Sequence, residues 1–217
     1  MIKGILKFLV WLLLIVILLG FATYLFVNES KPTGTEGEQA ELLTDAMLDG
    51  INKEGYDSLS YIEFTFKGVH SYRWDKEANN VTVIWEENEV YLDLNVSPEE
   101  YTILEFKAYK FFINDSFWLV APFKVRDPGV VRSYIDMVDG KGLLVTYTSG
   151  GVTPGDSYLW ILDDKSVPIA WKLWTSNVPI GGLRFTWENW VEREGVLFST
   201  YHKSMILDLP ITDLVVR

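Results

Sequence analysis

The chain has 217 residues, with 19 basic and 30 acidic side chains, two histidines and no cysteine. Lys3, Lys7 and Glu29 are the only charges in the first thirty residues, which leaves 17 basic against 29 acidic beyond them, a net of about −12. Such a domain repels phosphate backbones, so no nucleic-acid partner is expected. The absence of cysteine excludes disulfides, thiolate metal sites, a cysteine nucleophile and a lipid-attachment cysteine.

From Phe8 to Asn28 the sequence FLVWLLLIVILLGFATYLFVN carries no charge. A helix needs about 20 such residues to cross the hydrocarbon of a bilayer. Residues 8–28 therefore read as a transmembrane signal anchor behind a cytoplasmic tail, 1–7. Lys3 and Lys7 hold the N-terminus inside, so the remainder is exported. Trp11 and Tyr24 fall where interfacial aromatics would lie. A cleaved signal peptide is the rival reading, but its apolar stretch is usually about 7–15 residues and ends in a small-x-small site. Here Gly20-Phe21-Ala22 is the sole such triplet, and Tyr24, Leu25, Phe26 and Val27 follow it. Residues 29–37 are polar, with proline and glycine, and read as a linker before a domain at 38–217.

Ala40, Leu43, Met47, Leu48 and Ile51 share one helical face over 38–53, with Gly55 as the expected stop. Alternation follows. Ile62, Phe64 and Phe66, then Val81, Val83 and Trp85, then Val90, Leu92 and Leu94 each face one way, as in half-buried antiparallel strands. Glu86-Glu87-Asn88 reads as the hairpin turn between the last two. Ser97-Pro98-Glu99-Glu100 has the pattern of a capped helix start. That helix is expected to reach Ile113 and, with Ile103, Leu104, Phe106, Ala108, Phe111 and Phe112, to be buried on two sides.

Beyond Asp115 strands are expected near 117–120, 131–138, 143–149, 157–163, 168–175, 183–191, 195–202 and 204–209. Turn signals separate them, among them Asp127-Pro128-Gly129, Asp139-Gly140, Gly150-Gly151 and Pro179-Ile180-Gly181-Gly182. The fold class is α+β, mainly antiparallel β, as one strongly curved sheet or partial barrel with two covering helices. On such a sheet Trp160, Trp171, Phe185 and Trp187, with Tyr147 and Trp118, are the candidate ligand-binding residues, lining a concave apolar face. A fully packed core is the competing reading of the same residues.

No metal-ligand spacing, phosphate-binding loop or activated-serine motif is present, so neither a cofactor, a metal nor an enzyme is expected. His70 and His202 read as structural or surface residues. Glu86-Glu87, Glu99-Glu100 and Asp163-Asp164 read as solvated turn and helix-start carboxylates.

Two stretches, NDSFWLVAPFKVRDPGV at Asn114–Val130 and PGDSYLWILDDKSVPIAWKLWTSNVPIGGLRFTWENW at Pro154–Trp190, resemble an exported family of Gram-negative bacteria, common in Bacteroidota, that is similar to the lipoprotein carriers LolA and LolB. The resemblance covers roughly residues 40–210. It implies an incomplete antiparallel β-barrel wrapped around helices, holding lipid or lipoprotein acyl chains in the periplasm, and the N-terminal anchor would fix the domain to the inner membrane. The chain departs from those carriers in lacking both a lipidated cysteine and a released soluble form. The alternative is a packed interaction module of the cell envelope without a ligand.

Overall fold

The computed structural model describes residues 2–137, 140–149 and 153–217. Val138, Asp139 and the Gly150-Gly151 turn lie outside the described residues, as do the side chains of 2–6, 8, 21–23 and 26.

Helix α1 spans Ile2–Val27, 26 residues or about 39 Å at 1.5 Å per residue. Its large apolar side chains from Leu9 to Leu19 are exposed. Among the described residues no helix is long and apolar enough to cross a membrane. Lys3, Phe8, Phe21, Ala22, Thr23 and Phe26 belong to the expected tail and span, but their side chains lie outside the described ones.

Helix α2 (Glu38–Gly50) buries Ala40, Leu43, Met47 and Leu48, the expected stripe. The break comes earlier than Gly55. Asn52 adopts φ 58°, and its side chain accepts from the Gly55 amide to cap a second short helix, α3 (Lys53–Ser58). Gly55 therefore sits inside a helix rather than ending one, packed so closely on Asn52 that a Cβ would clash.

Strands β1 (Tyr61–Phe66), β2 (His70–Asp75), β3 (Asn80–Trp85) and β4 (Asn88–Asp93) form a meander. The alternating residues read from the sequence point inward: Ile62, Phe64, Phe66, Val81, Val83, Trp85, Val90 and Leu92 are all buried. Trp85 pairs with Asn88 across a two-residue turn in which Glu86 takes φ 49°, the conformation tight hairpins require.

Helix α4 (Ile103–Val120) differs from expectation at both ends. Ser97 makes no capping bond, and Pro98–Glu100 is one 3₁₀ turn. The cap is Thr102: its hydroxyl accepts from the Glu105 amide, and the Glu105 carboxylate accepts from the Thr102 amide at 2.8 Å, a reciprocal box that fixes the start. The helix then runs through 117–120, the stretch expected as a strand. It lies between the sheets. Phe111 and Phe112 meet His70, Tyr72, Trp74 and Trp85, while Phe117 and Trp118 meet Tyr147, Tyr158, Trp171 and Phe185.

The remaining strands are β5 (Val130–Met137), β6 (Gly140–Tyr147), β7 (Ser157–Leu162), β8 (Pro168–Trp174), β9 (Leu183–Thr186), β10 (Glu188–Arg193), β11 (Val196–Lys203) and β12 (Asp208–Val216). Instead of one continuous curved sheet there are two. One has seven strands, ordered β10-β11-β12-β1-β2-β3-β4, and the other five, ordered β5-β6-β7-β8-β9; all pairings are antiparallel and neither sheet closes into a barrel. The expected strand 183–191 divides at Trp187. The Trp187 amide still donates to Ile169 of β8, but from Glu188 onward the chain pairs with β11. The break suits a buried indole that must turn into the core while its neighbours change partners. The last strand starts at Asp208 rather than 204 and pairs with β1, which closes the N- and C-terminal parts of the domain on each other.

Candidate functional site

The inner face of the five-stranded sheet carries Leu143, Val145 and Tyr147 on β6, Tyr158 and Trp160 on β7, Trp171 and Leu173 on β8, and Phe185 on β9. Strict alternation puts them there, as register pairs such as Trp160 with Trp171 and Trp171 with Phe185 confirm. Helix α4 lies over this face but does not fill the space. A cavity of about 480 Å³ remains, within the 300–1,000 Å³ range of small-molecule sites. Phe117, Trp118, Tyr147, Tyr158 and Trp171 form its aromatic wall; Asn114, Lys124, Asp127, Asp156, Thr175 and Asn177 give it polar groups.

Of the six residues chosen from the sequence, Trp118, Tyr147 and Trp171 line this cavity. Trp160, Phe185 and Trp187 do not. They are buried in the layer behind the wall, where the Trp160 ring lies 4.8 Å from Trp171 and 4.9 Å from Trp187, and Phe185 4.8 Å from Trp118. Trp160, Trp171 and Phe185 stand in one row across the strands; Trp171 stacks beside Phe117 on the wall, whereas Trp160 packs against Trp187 in the core. Phe117 was missed because its segment read as a strand. The Thr102-x-x-Glu105 spacing was the signal that would have carried the helix, and Phe117 with it, to the sheet.

The Tyr147 hydroxyl and Trp171 Nε1 are buried within the packing of the wall and have no partner among the described residues, as is also true of Nε1 on Trp74, Trp85, Trp160 and Trp187. Burial, reinforced by Tyr158 and Asp127, holds the Tyr147 phenol well above its ordinary pKa. Burial, with Asp156 beside it, raises Tyr158 in the same way. Both hydroxyls are therefore neutral at any physiological pH. The rim is tied together by the buried Asp156, which accepts from the Thr153 hydroxyl at 2.6 Å and the Ser176 amide at 3.0 Å. These contacts join the segment before β7 to the loop after β8.

The histidines lie elsewhere. His202 is buried against Trp118 and Trp187, with Nδ1 3.2 Å from the Thr186 carbonyl oxygen. Burial pushes it down to about 4, against the pull of the Thr186 and Trp118 carbonyls, so it is a neutral core residue. His70 Nδ1 lies 2.6 Å from Asp115 on α4, and the Tyr72 hydroxyl donates to the same carboxylate oxygen at 2.6 Å. Burial raises the Asp115 carboxyl, and the two hydrogen bonds oppose that shift. The cluster pins α4 to β2. Among the described residues no group of three or more His, Asp or Glu could hold a metal ion. No protein-family model, curated protein or solved structure matches the chain.

Proposed function

We propose that this is a membrane-anchored domain of the bacterial envelope that binds an apolar ligand, a lipid or a lipoprotein acyl chain, in the cavity between α4 and the five-stranded sheet. The observation that carries the reading is the aromatic-walled space of about 480 Å³ beside α4. Aromatic rings shield a long apolar chain from water. A fatty acyl ester or acid supplies methylenes for the rings, and Lys124 and Asn177 offer donors for its oxygens.

The reading extends to the LolA-like likeness, in which helices sit inside an unclosed antiparallel β-structure, and to a single-pass anchor at the inner membrane with the domain in the periplasm. The exposed apolar stretch of α1 supports the anchor. The role proposed is binding, with the Thr153 hydroxyl and the Asp156 carboxylate holding the rim together. Delipidated protein should take up a fluorescent fatty-acid analogue saturably at one site. Folded protein that takes up none at micromolar ligand would refute the proposal and favour a packed interaction module.

A further inference from the structure

The segment expected as a linker makes a series of specific contacts. The first residue after α1, Asn28, accepts from the Gly181 amide through its side chain at 2.8 Å, and the Glu29 amide donates to the Gly181 carbonyl at 2.9 Å. The Glu29 carboxylate pairs with Lys172 at 2.6 Å, and its carbonyl accepts from Trp174 Nε1 at 2.8 Å. Lys31 reaches Ser157 on β7. Thr35 then exchanges two backbone hydrogen bonds with Tyr134, at 3.0 and 2.8 Å, along the edge of β5. Lys172, Ser157, Ser133 and Ile135 all belong to the sheet face opposite the aromatic wall. Residues 28–36 thus cross the back of the sheet from β8 to β5.

The sheet is shaped to receive this segment. Gly182 has φ 80°, and a Cβ there would come within 2.6 Å of the Glu29 Cβ; one on Gly34 would meet Ser133 at 2.7 Å. Leu144, Leu159 and Ser157, on the face the segment crosses, are buried.

The docking point also fixes the cavity. β5 begins, β6 ends, β7 begins and β8 ends at one end of the sheet, as the pairs Val130 with Tyr147 and Ser157 with Trp174 require. The rim residues Asp127, Thr153, Asp156, Thr175 and Asn177 all come from that end, and Gly181 lies on the same loop as Asn177.

We infer that residues 28–36 are a fixed strap that seats the cavity mouth on the surface of the membrane α1 enters, so that the ligand is a lipid of that same membrane. This rests on the anchoring and binding proposed above. No slack separates the end of α1 from its docking site, so the domain does not leave the surface to load.

The absence of cysteine makes the test direct. Single cysteines at Ser176 and Pro179 on the exposed β8–β9 loop, and at Asp164 and Lys165 on the β7–β8 turn at the opposite end, are spin-labelled in the full chain reconstituted in phosphatidylethanolamine–phosphatidylglycerol discs. The ratio of oxygen to nickel-chelate collisions should be several-fold higher at 176 and 179 than at 164 and 165. Lys172→Glu, which sets a carboxylate against Glu29, should shrink that difference while fatty-acid uptake in detergent persists. Equal ratios at both ends in disc-borne protein that still takes up fatty acid would overturn the seating alone. Protein that elutes free of the discs would overturn the seating and the anchor together. A retained difference without uptake would support the seating and sink the ligand.

Discussion

Ser116 lies on the buried side of α4 and lines the cavity, so Ser116→Phe should fill the site from within. Burying a phenylalanine side chain is worth about 1.5–3 kcal/mol, and ordering it returns about 1 kcal/mol. Serine and phenylalanine have similar helix propensities. The ring enters space that is already empty, so the cost of overpacking a filled core does not apply. The expected net effect is about 0.5–2 kcal/mol of added stability, and at this chain size each kcal/mol moves Tm by about 2–4 °C. Uptake of the fatty-acid analogue should fall at least tenfold, a loss of about 1.4 kcal/mol or more in binding. The assay is thermal unfolding and ligand titration of both proteins in one detergent. Unchanged uptake by a folded variant would refute the cavity as the binding site. A loss of more than about 2 kcal/mol in stability would show that no such space exists.

Tyr147→Phe removes a buried hydroxyl with no partner among the described residues, so urea unfolding should show stability unchanged or raised. Trp160→Ala, in the layer behind the wall, should instead cost about 3–5 kcal/mol in urea unfolding. His202 is neutral when folded, so the unfolded chain takes up the proton first as pH falls below about 6.5. Stability should drop by about 3 kcal/mol by pH 4, where the folded imidazole titrates. Asp115, raised by burial, acts in the opposite sense at acid pH, so the readout is the difference between wild type and His202→Phe, whose curve should lack the histidine slope. Thr102→Ala should cost about 0.5–2 kcal/mol by breaking the box at the start of α4.

Strands β1, β3 and β4 were legible because Ile62, Phe64, Val81, Val83, Val90 and Leu92 alternate on a sheet with one wet face; β2 (His70–Asp75), which places just Tyr72 fully inside, was not. The five-stranded sheet was legible only as separate strands. Its outer face is also covered, so Ser157, Leu159 and Leu144 are buried beside Tyr158 and Trp160, and alternation no longer tells inside from outside. Trp187 gave no local sign that the chain changes sheets there, because the break is set by pairing with β8 and β11, which are distant in sequence. The division of the tryptophans between wall and core was hidden for the same reason: Trp160 and Trp171 are register partners, and only their neighbours Trp187 and Phe117 tell them apart. Polar composition alone made 29–37 resemble a free linker. Gly34 and the Gly181-Gly182 pair were the visible traces of close approach, and only the partner backbone explains them.

Native mass spectrometry of the full chain, released gently from its own membrane, tests the central claim most directly. Wild-type protein should carry one adduct of lipid mass that Ser116→Phe lacks. Bare protein in both cases, or the same adduct on each, would contradict a lipid held in the cavity beside α4.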